Sequence, residues 1–349
     1  MQKLKNKLLG TLTLAAIGDA MGSVTENLPF DKIREDFGGP VTTFLKPGKT
    51  AFALGNEPAQ VTDDFSQLFL VCKEALDNEG VISTNTVKKA ILEWSDMPQY
   101  FNRFAGPTTR SAVAMYKDPN HTMKPLEGAV TVDYASKATN GAAMKVAPAG
   151  MFHPDDIDNA IKTSVIITKV THDNSLAISG SAAVAAATAV SYRDDVTFDD
   201  LIDAGFYGAS VGLAIGKKES HYVAGPGVIE RMELAMTIAD GSGTKNQKLE
   251  KLSSVVGSGL HISEAVPCAF GLMKLNSGNP LQAVIDAVNI GYDTDTVATI
   301  VGSMVGALAV SNSQIEEMLD QIEAANGFDI RGLATDIATS IERKSVPVS

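Results

Sequence analysis

The amino-acid sequence predicts an all-α protein built as one domain over residues 1–349, on three observations. Apolar residues recur at helical spacing through most of the chain, as in Leu4, Leu8, Leu12 and Ala15, in Leu68, Val71, Cys72 and Ala75, and in Ile157, Ile161, Val165 and Val170. Alternating β-branched stretches, such as Val41 to Phe44 and Val130 to Val132, are short and isolated, too little for a substantial sheet. Glycine and proline punctuation, at Gly38-Gly39-Pro40, Pro47-Gly48, Gly106-Pro107, Gly225-Pro226-Gly227 and Asn276 to Pro280, marks loops but leaves no segment long enough to link domains. With 44% hydrophobic and 20% charged residues, a chain of 349 residues can bury a large core.

Taken in order, the elements begin with Lys3, Lys5 and Lys7 ahead of Leu8 to Ile17, which imitate the charged and apolar regions of a signal peptide. The apolar run breaks at Gly18-Asp19, so the segment reads instead as a helix closed by a glycine-relieved turn through Gly22, with Glu26 delivered into that turn. Thr62 stands before an apolar helical run as its natural cap, and Ser83 opens a helix that ends at Trp94. Asp155 is expected to cap Ile157 to Val170, and Thr197 to cap Leu201 to Ile215. Two stretches rich in small side chains, Ile178 to Val190 and Val297 to Val310, are expected to cross closely at the centre of the bundle. Ala177 to Val190 is free of charge, but Asp173 and Arg193 flank it and it is too short to span a membrane.

The formal charge of −12, without any cluster of Lys and Arg, disfavours nucleic acid as a partner. An anionic ligand would need a cation, a helix N-terminus or backbone amides. Cys72 and Cys268 lie far apart in apolar helical contexts and read as buried free thiols, which implies a reducing, cytoplasmic setting.

Two acidic clusters carry the chemistry. Thr62-Asp63-Asp64 puts two carboxylates in the first turn of a helix, and helix capping accounts for one such acid more readily than for two adjacent ones. Asp293, Asp295 and Thr296 repeat the arrangement before a helix expected to begin near Thr296, with Gly291 supplying backbone freedom. If these two helix starts face each other, four carboxylates and two hydroxyls converge, and repulsion is relieved by protonation or by cations. Oxygen-only ligands favour Mg²⁺, Mn²⁺ or Ca²⁺ over zinc, and four carboxylates suffice for two ions. Asp293 to Val297 also matches the aspartyl-nucleophile motif of haloacid-dehalogenase phosphatases, but that motif ends a buried strand, whereas Leu281 to Ile290 reads as a helix. An EF-hand would need a glycine and a final glutamate that are missing here. Glu26 is either one exposed acid among many or a functional carboxylate.

Together these segments resemble the ADP-ribosylglycohydrolase family over nearly the whole chain. The resemblance rests on Gly18-Asp19-Ala20-Met21-Gly22 with Glu26, Thr62-Asp63-Asp64, Gly106-Pro107-Thr108-Thr109, Asn140 to Pro148, Thr171-His172, Glu264-Ala265-Val266-Pro267 and Gly291 to Thr296. It implies a single compact orthogonal helical bundle and hydrolysis at the anomeric carbon of an ADP-ribosyl group. It also implies two divalent cations, Mg²⁺ or Mn²⁺, held by Thr62, Asp63, Asp64, Asp293, Asp295 and Thr296. Glu26 matches an acid near the scissile bond, and Asp64 is an alternative catalytic group acting on water. Gly106 and Thr108, with Asn140, Gly141, Ala142 and Met144, look like a diphosphate cradle, and His172 and Tyr292 are further expected substrate contacts. His121, His153, His221 and His261 carry no motif.

Two positions depart from the family pattern. Phe65 stands where a hydroxyl residue is frequent, and Lys145 where arginine is common, which gives up bidentate geometry. The leaving group therefore stays open between an ADP-ribosylated protein and a small ADP-ribosyl or ribosyl metabolite. A nucleosidase on the same scaffold and a non-catalytic relative of the lens-crystallin kind are the alternatives, and the complete acidic clusters speak against the latter.

Overall fold

The computed structural model describes residues 1–49, 51–118, 120–125 and 128–345. Among these the chain forms 17 α-helices and no strand, and pairing of extended backbone is limited to isolated bridges between Thr139 and His261 and between Asn174 and His221. The first group of helices is α1 (Gln2–Gly22), α2 (Phe30–Phe37), α3 (Asp63–Asp77), α4 (Thr84–Ser95), α5 (Pro98–Phe104) and α6 (Pro107–Lys117). A long connection with two 3-10 turns leads to α7 (Pro148–Met151), α8 (Ile157–Lys169), α9 (Ser175–Val190), α10 (Phe198–Glu219) and α11 (Val228–Asp240). The chain closes with α12 (Lys245–Lys251), α13 (Ile262–Leu275), α14 (Pro280–Val288), α15 (Thr294–Val305), α16 (Ser313–Asn326) and α17 (Ile330–Ser345).

The two helices rich in small residues do sit at the centre, since every residue of α9 and of α15 is buried. Small side chains let neighbouring backbones touch. A Cβ on Gly22 of α1 would stand 2.4 Å from the Cα of Asp295, and one on Gly302 of α15 would stand 2.3 Å from the carbonyl oxygen of Leu14. Only glycine fits there, and the contact brings the end of α1 against the start of α15. Around this seam the buried apolar side chains from Leu8 to Ala338 join in one cluster, in which each fully buried Leu or Ile contributes roughly 1.5–3 kcal/mol.

Several local expectations are corrected. The helix α1 does not close at Gly18-Asp19 but runs on to Gly22, because the glycines serve close packing; the turn follows at residues 23–27 and carries Glu26. Asp155 adopts a left-handed φ of 56° and pairs with Arg193 at 2.8 Å, and it is Asp156 whose side chain accepts from the Asn159 amide to cap α8. The helix expected to reach Val310 ends at Val305, tightens into a 3-10 turn, and leaves Val310 82% exposed. Ser83 and Thr197 do cap α4 and α10, each in a capping box. Gly106-Pro107 and Asn279-Pro280, read as loops, begin α6 and α14 with proline in the first turn, where its missing N–H costs nothing. No helix among the described residues is long and apolar enough to cross a membrane.

Candidate active site

The N-terminal ends of α3 and α15 meet on the floor of a cleft of about 360 Å³. Asp63, Asp64, Asp293, Asp295 and Thr296 line it, and Thr62 lies fully buried beneath. Thr62 does not cap α3 as expected, for its side chain accepts nothing from that helix. The cap comes from α1. Asp19 accepts from the Thr62 amide (2.9 and 3.0 Å to its two oxygens), the Thr62 hydroxyl (2.8 Å) and the Phe65 amide (2.8 Å). The Thr62 hydroxyl oxygen also stands 3.3 Å from Asp64 Oδ2 and 3.5 Å from Asp295 Oδ2. On the other side α15 starts at Thr294, two residues earlier than expected, and neither acid of that cluster is spent on an ordinary cap. Asp293 Oδ2 accepts from Asn140 Nδ2 at 2.7 Å, and Asp295 Oδ1 accepts from the Thr296 amide at 3.0 Å.

Glu26 reaches the same floor because a short backbone clamp ties its turn to the second cluster. The Asn27 amide donates to the Tyr292 carbonyl (2.6 Å) and the Tyr292 amide to the Leu28 carbonyl (2.9 Å). Gly291 and Tyr292 both take positive φ, 93° and 62°, which turns the tyrosine ring outward over Gly259. Tyr292 is thus 46% exposed and stands outside the cleft lining, while its backbone anchors the turn that carries Glu26. Ala142 likewise lies outside that lining, fully buried in the apolar core.

The walls differ in character. One is the turn at residues 139–144, where Thr139, Asn140, Gly141 and Met144 face the cleft with His172. This turn is held from three sides: Leu260 O accepts from the Asn140 amide, His172 Nε2 lies 2.8 Å from Thr139 Oγ1, and the buried Lys145 ammonium donates to the Gly141 carbonyl. Burial, helped by Lys145 and Lys137, pushes the His172 pKa well below its ordinary range, so the ring is neutral and positions the turn as a hydrogen-bonding group. Opposite stands the start of α6, where Gly106, Pro107, Thr108 and Thr109 line the cleft at a helix N-terminus, whose first-turn amides other than that of Pro107 have no partner within the helix. At the mouth Phe52 and Phe104 add an apolar lip, their rings 6.1 Å apart. Asp19, Phe52 and Phe104 carried no motif of their own in sequence; Asp19 sat inside one but read as part of a turn.

A family model described as ADP-ribosylglycohydrolase matches residues 1–346. The chain belongs to the ADP-ribosylglycohydrolase family. It is 29% identical over 335 residues to the uncharacterized protein YegU of Escherichia coli (strain K12), covering 95% of this chain and 96% of that protein. An uncharacterized protein of Archaeoglobus fulgidus is 25% identical over 331 residues and 92% of each chain. Among solved structures, one titled ADP-ribosylglycohydrolase-related protein complex superimposes with a TM-score of 0.65 at 18% identity, over 98% of this chain and 100% of that one, and shows the fold is shared.

The floor acids stand close enough together that they could hold a cation. Carboxylate oxygens of Asp19, Asp64 and Asp295 lie within 4.8 Å of one another, as do those of Glu26, Asp293 and Asp295, so Asp295 belongs to both groups. Burial first, then the charges of Asp293, Asp63 and Asp19, push Glu26 up to about 9. Burial and Asp19 push Asp63 up to about 8, while Asp64 and Asp295 are driven well above the usual carboxylate range by burial first and then by neighbouring acids, Asp63 foremost for Asp64 and Glu26 for Asp295. So many acids cannot all ionise near neutral pH without countercharge. Lys145, itself lowered to about 8 by burial, supplies one positive charge facing Asp63 and Asp64. Asp64 Oδ1 and Glu26 Oε2 are buried and accept no hydrogen bond. Phe65 donates its amide to Asp19 but turns its ring into the core against Phe69 and Phe328.

Proposed function

We propose that this chain, acting as one domain, is a hydrolase that cleaves the anomeric bond of an ADP-ribosyl group and depends on two divalent cations, Mg²⁺ or Mn²⁺. The observation that carries this reading is the convergence of Glu26, Asp63, Asp64, Asp293 and Asp295 on one cleft floor, with Asp295 common to both ligand groups and two buried oxygens unpaired. An all-oxygen donor set suits hard cations. Thr62, Asp63, Asp64, Asp293, Asp295 and Thr296 would hold them, and when bound they would orient ribose hydroxyls and acidify water.

The chain's own groups supply the rest. Asn140 fixes Asp293, and the Thr296 amide fixes Asp295, so neither acid needs to reorganise on binding. Glu26 brings an unpaired, buried Oε2 to the cleft lining, where it can hold or accept a proton as positive charge develops at the anomeric carbon. Asp64, with its own free Oδ1, is the alternative base. The α6 amides and the 139–144 turn suit a diphosphate, which lets a chain of net charge −12 hold an anion. Buried, unpaired Cys72 and Cys268 support a reducing, cytoplasmic setting.

A second reading, a nucleosidase or ribosyl hydrolase of small metabolites, is favoured by the Phe52 and Phe104 lip, an apolar surface suited to a flat base. One assay separates the two. Purified protein with Mn²⁺ or Mg²⁺ is offered ADP-ribosylated protein, ADP-ribose esters and free nucleosides. Release of ADP-ribose that is abolished by chelation and by Asp295→Ala supports the first reading, and release of free base from nucleosides alone sinks it.

A further inference from the structure

We propose that Asp19 is a positioning residue of the cation centre: it accepts the hydrogen bond that the Thr62 hydroxyl donates and thereby aims that oxygen's lone pairs at the space between Asp64 and Asp295. The inference rests on the cation-dependent reading above. A threonine hydroxyl has one proton and two lone pairs, and an ionised carboxylate only accepts. The shortest contact of Thr62 Oγ1 is the 2.8 Å to Asp19 Oδ1, so its single proton lies there. What remains of that oxygen faces Asp64 Oδ2 at 3.3 Å and Asp295 Oδ2 at 3.5 Å without a proton to bridge them. Three oxygens turned toward one another in this way repel unless a proton or a cation sits among them, and Asp64 Oδ1 beside them is unpartnered.

Asp19 could be mistaken for a ligand, since its carboxylate lies within 4.8 Å of oxygens on Asp64 and Asp295. Its acceptor capacity is already committed. The Thr62 amide reaches both oxygens, the Thr62 hydroxyl takes Oδ1 and the Phe65 amide takes Oδ2. It is therefore a supporting group of the kind that orients a ligand and tunes its basicity, and it reaches Thr62 where α1 packs beside α3.

Titration of Mn²⁺ into the purified proteins, followed by calorimetry, tests this without reference to turnover. Asp19→Asn, which replaces one acceptor oxygen by a donor, is expected to weaken Mn²⁺ by about 10–100-fold with an unchanged far-ultraviolet dichroism spectrum. Thr62→Val is expected to do the same, Thr62→Ser to bind as wild type, and the Asp19→Asn/Thr62→Val pair to be no weaker than the weaker single variant. Wild-type affinity in Asp19→Asn would reduce Asp19 to a helix cap and overturn the proposal. Independent, multiplying losses in the pair would overturn it too, by making Asp19 a ligand in its own right. Should Asp19→Asn not fold, undiminished affinity in Thr62→Val refutes the proposal through the hydroxyl alone. Failure of the wild type to bind Mn²⁺ contradicts the cation reading itself, a result distinct from wild-type binding that is indifferent to position 19.

Discussion

Removing divalent cations should make this fold lose stability as the pH rises from 5 to 7, the reverse of what salt-bridged carboxylates do. The reason is the direction of the shifts. Asp63 is held up at about 8 by burial and by Asp19, so the folded chain keeps its proton at a pH where the unfolded chain has released it. The stabilisation is full below the ordinary pKa near 4 and drains away as the pH climbs toward 8, at about 1.4 kcal/mol per pH unit for one such carboxyl. Between pH 5 and 7 that is roughly 3 kcal/mol from Asp63 alone. With an unfolding entropy of about 2.1 cal/mol/K per residue, a chain of 349 residues converts it to about 4 °C in Tm. A bound cation replaces the proton and removes the penalty. Differential scanning fluorimetry at pH 5, 6 and 7, in EDTA and in saturating Mn²⁺, compares the two states directly, and titrations elsewhere in the molecule cancel in the difference. The gap between the two Tm values should widen by at least about 4 °C over this range. A gap that stays constant or narrows as the pH rises would refute the reasoning, because the acids would then be ionised and satisfied without a cation.

Three further outcomes are expected. Gly22→Ala drives a methyl to 2.4 Å from the Asp295 Cα, so it should cost about 1–3 kcal/mol or more and weaken Mn²⁺ binding together with Tm, measured by calorimetry and thermal melts. Lys145→Met leaves the Gly141 carbonyl without its buried donor, at about 1–3 kcal/mol, and loosens the 139–144 turn. Lys145→Arg should keep more of the stability, and KM for ADP-ribosyl substrates should rise more in the methionine variant than in the arginine one. Phe52 is 53% exposed, so Phe52→Ala should leave stability within about 0.5 kcal/mol, whereas on substrates with a flat aromatic leaving group it should raise KM several-fold. An unchanged KM would remove the apolar lip from substrate recognition.

Much of this protein is legible along the chain because helices are local objects. Apolar spacing of three and four residues shows where α1, α3, α8 and α10 run, and Ser83 and Thr197 form capping boxes with residues only three positions ahead. The acids of α3 and α15 stand out by themselves, since two carboxylates in a first turn exceed what a helix end uses. The misreadings are equally physical. Gly18 and Gly22 look like a turn because glycine is the residue of turns, yet their purpose is contact with a helix more than 270 residues away. Asp155 and Asp156 are both plausible caps, and the choice between them falls to Arg193, which draws Asp155 aside.

By itself, then, the sequence determined the helical class, the central position of its two small-residue helices and the two acidic helix starts, all consequences of spacing within a few residues. Tertiary structure decided which acid does what. Asp19 meets Thr62 across 43 positions, Asn140 meets Asp293 across 153, and Glu26 is brought in by the backbone of Tyr292. Hydrogen bonds of this reach depend on where whole helices pack, and no local pattern encodes them.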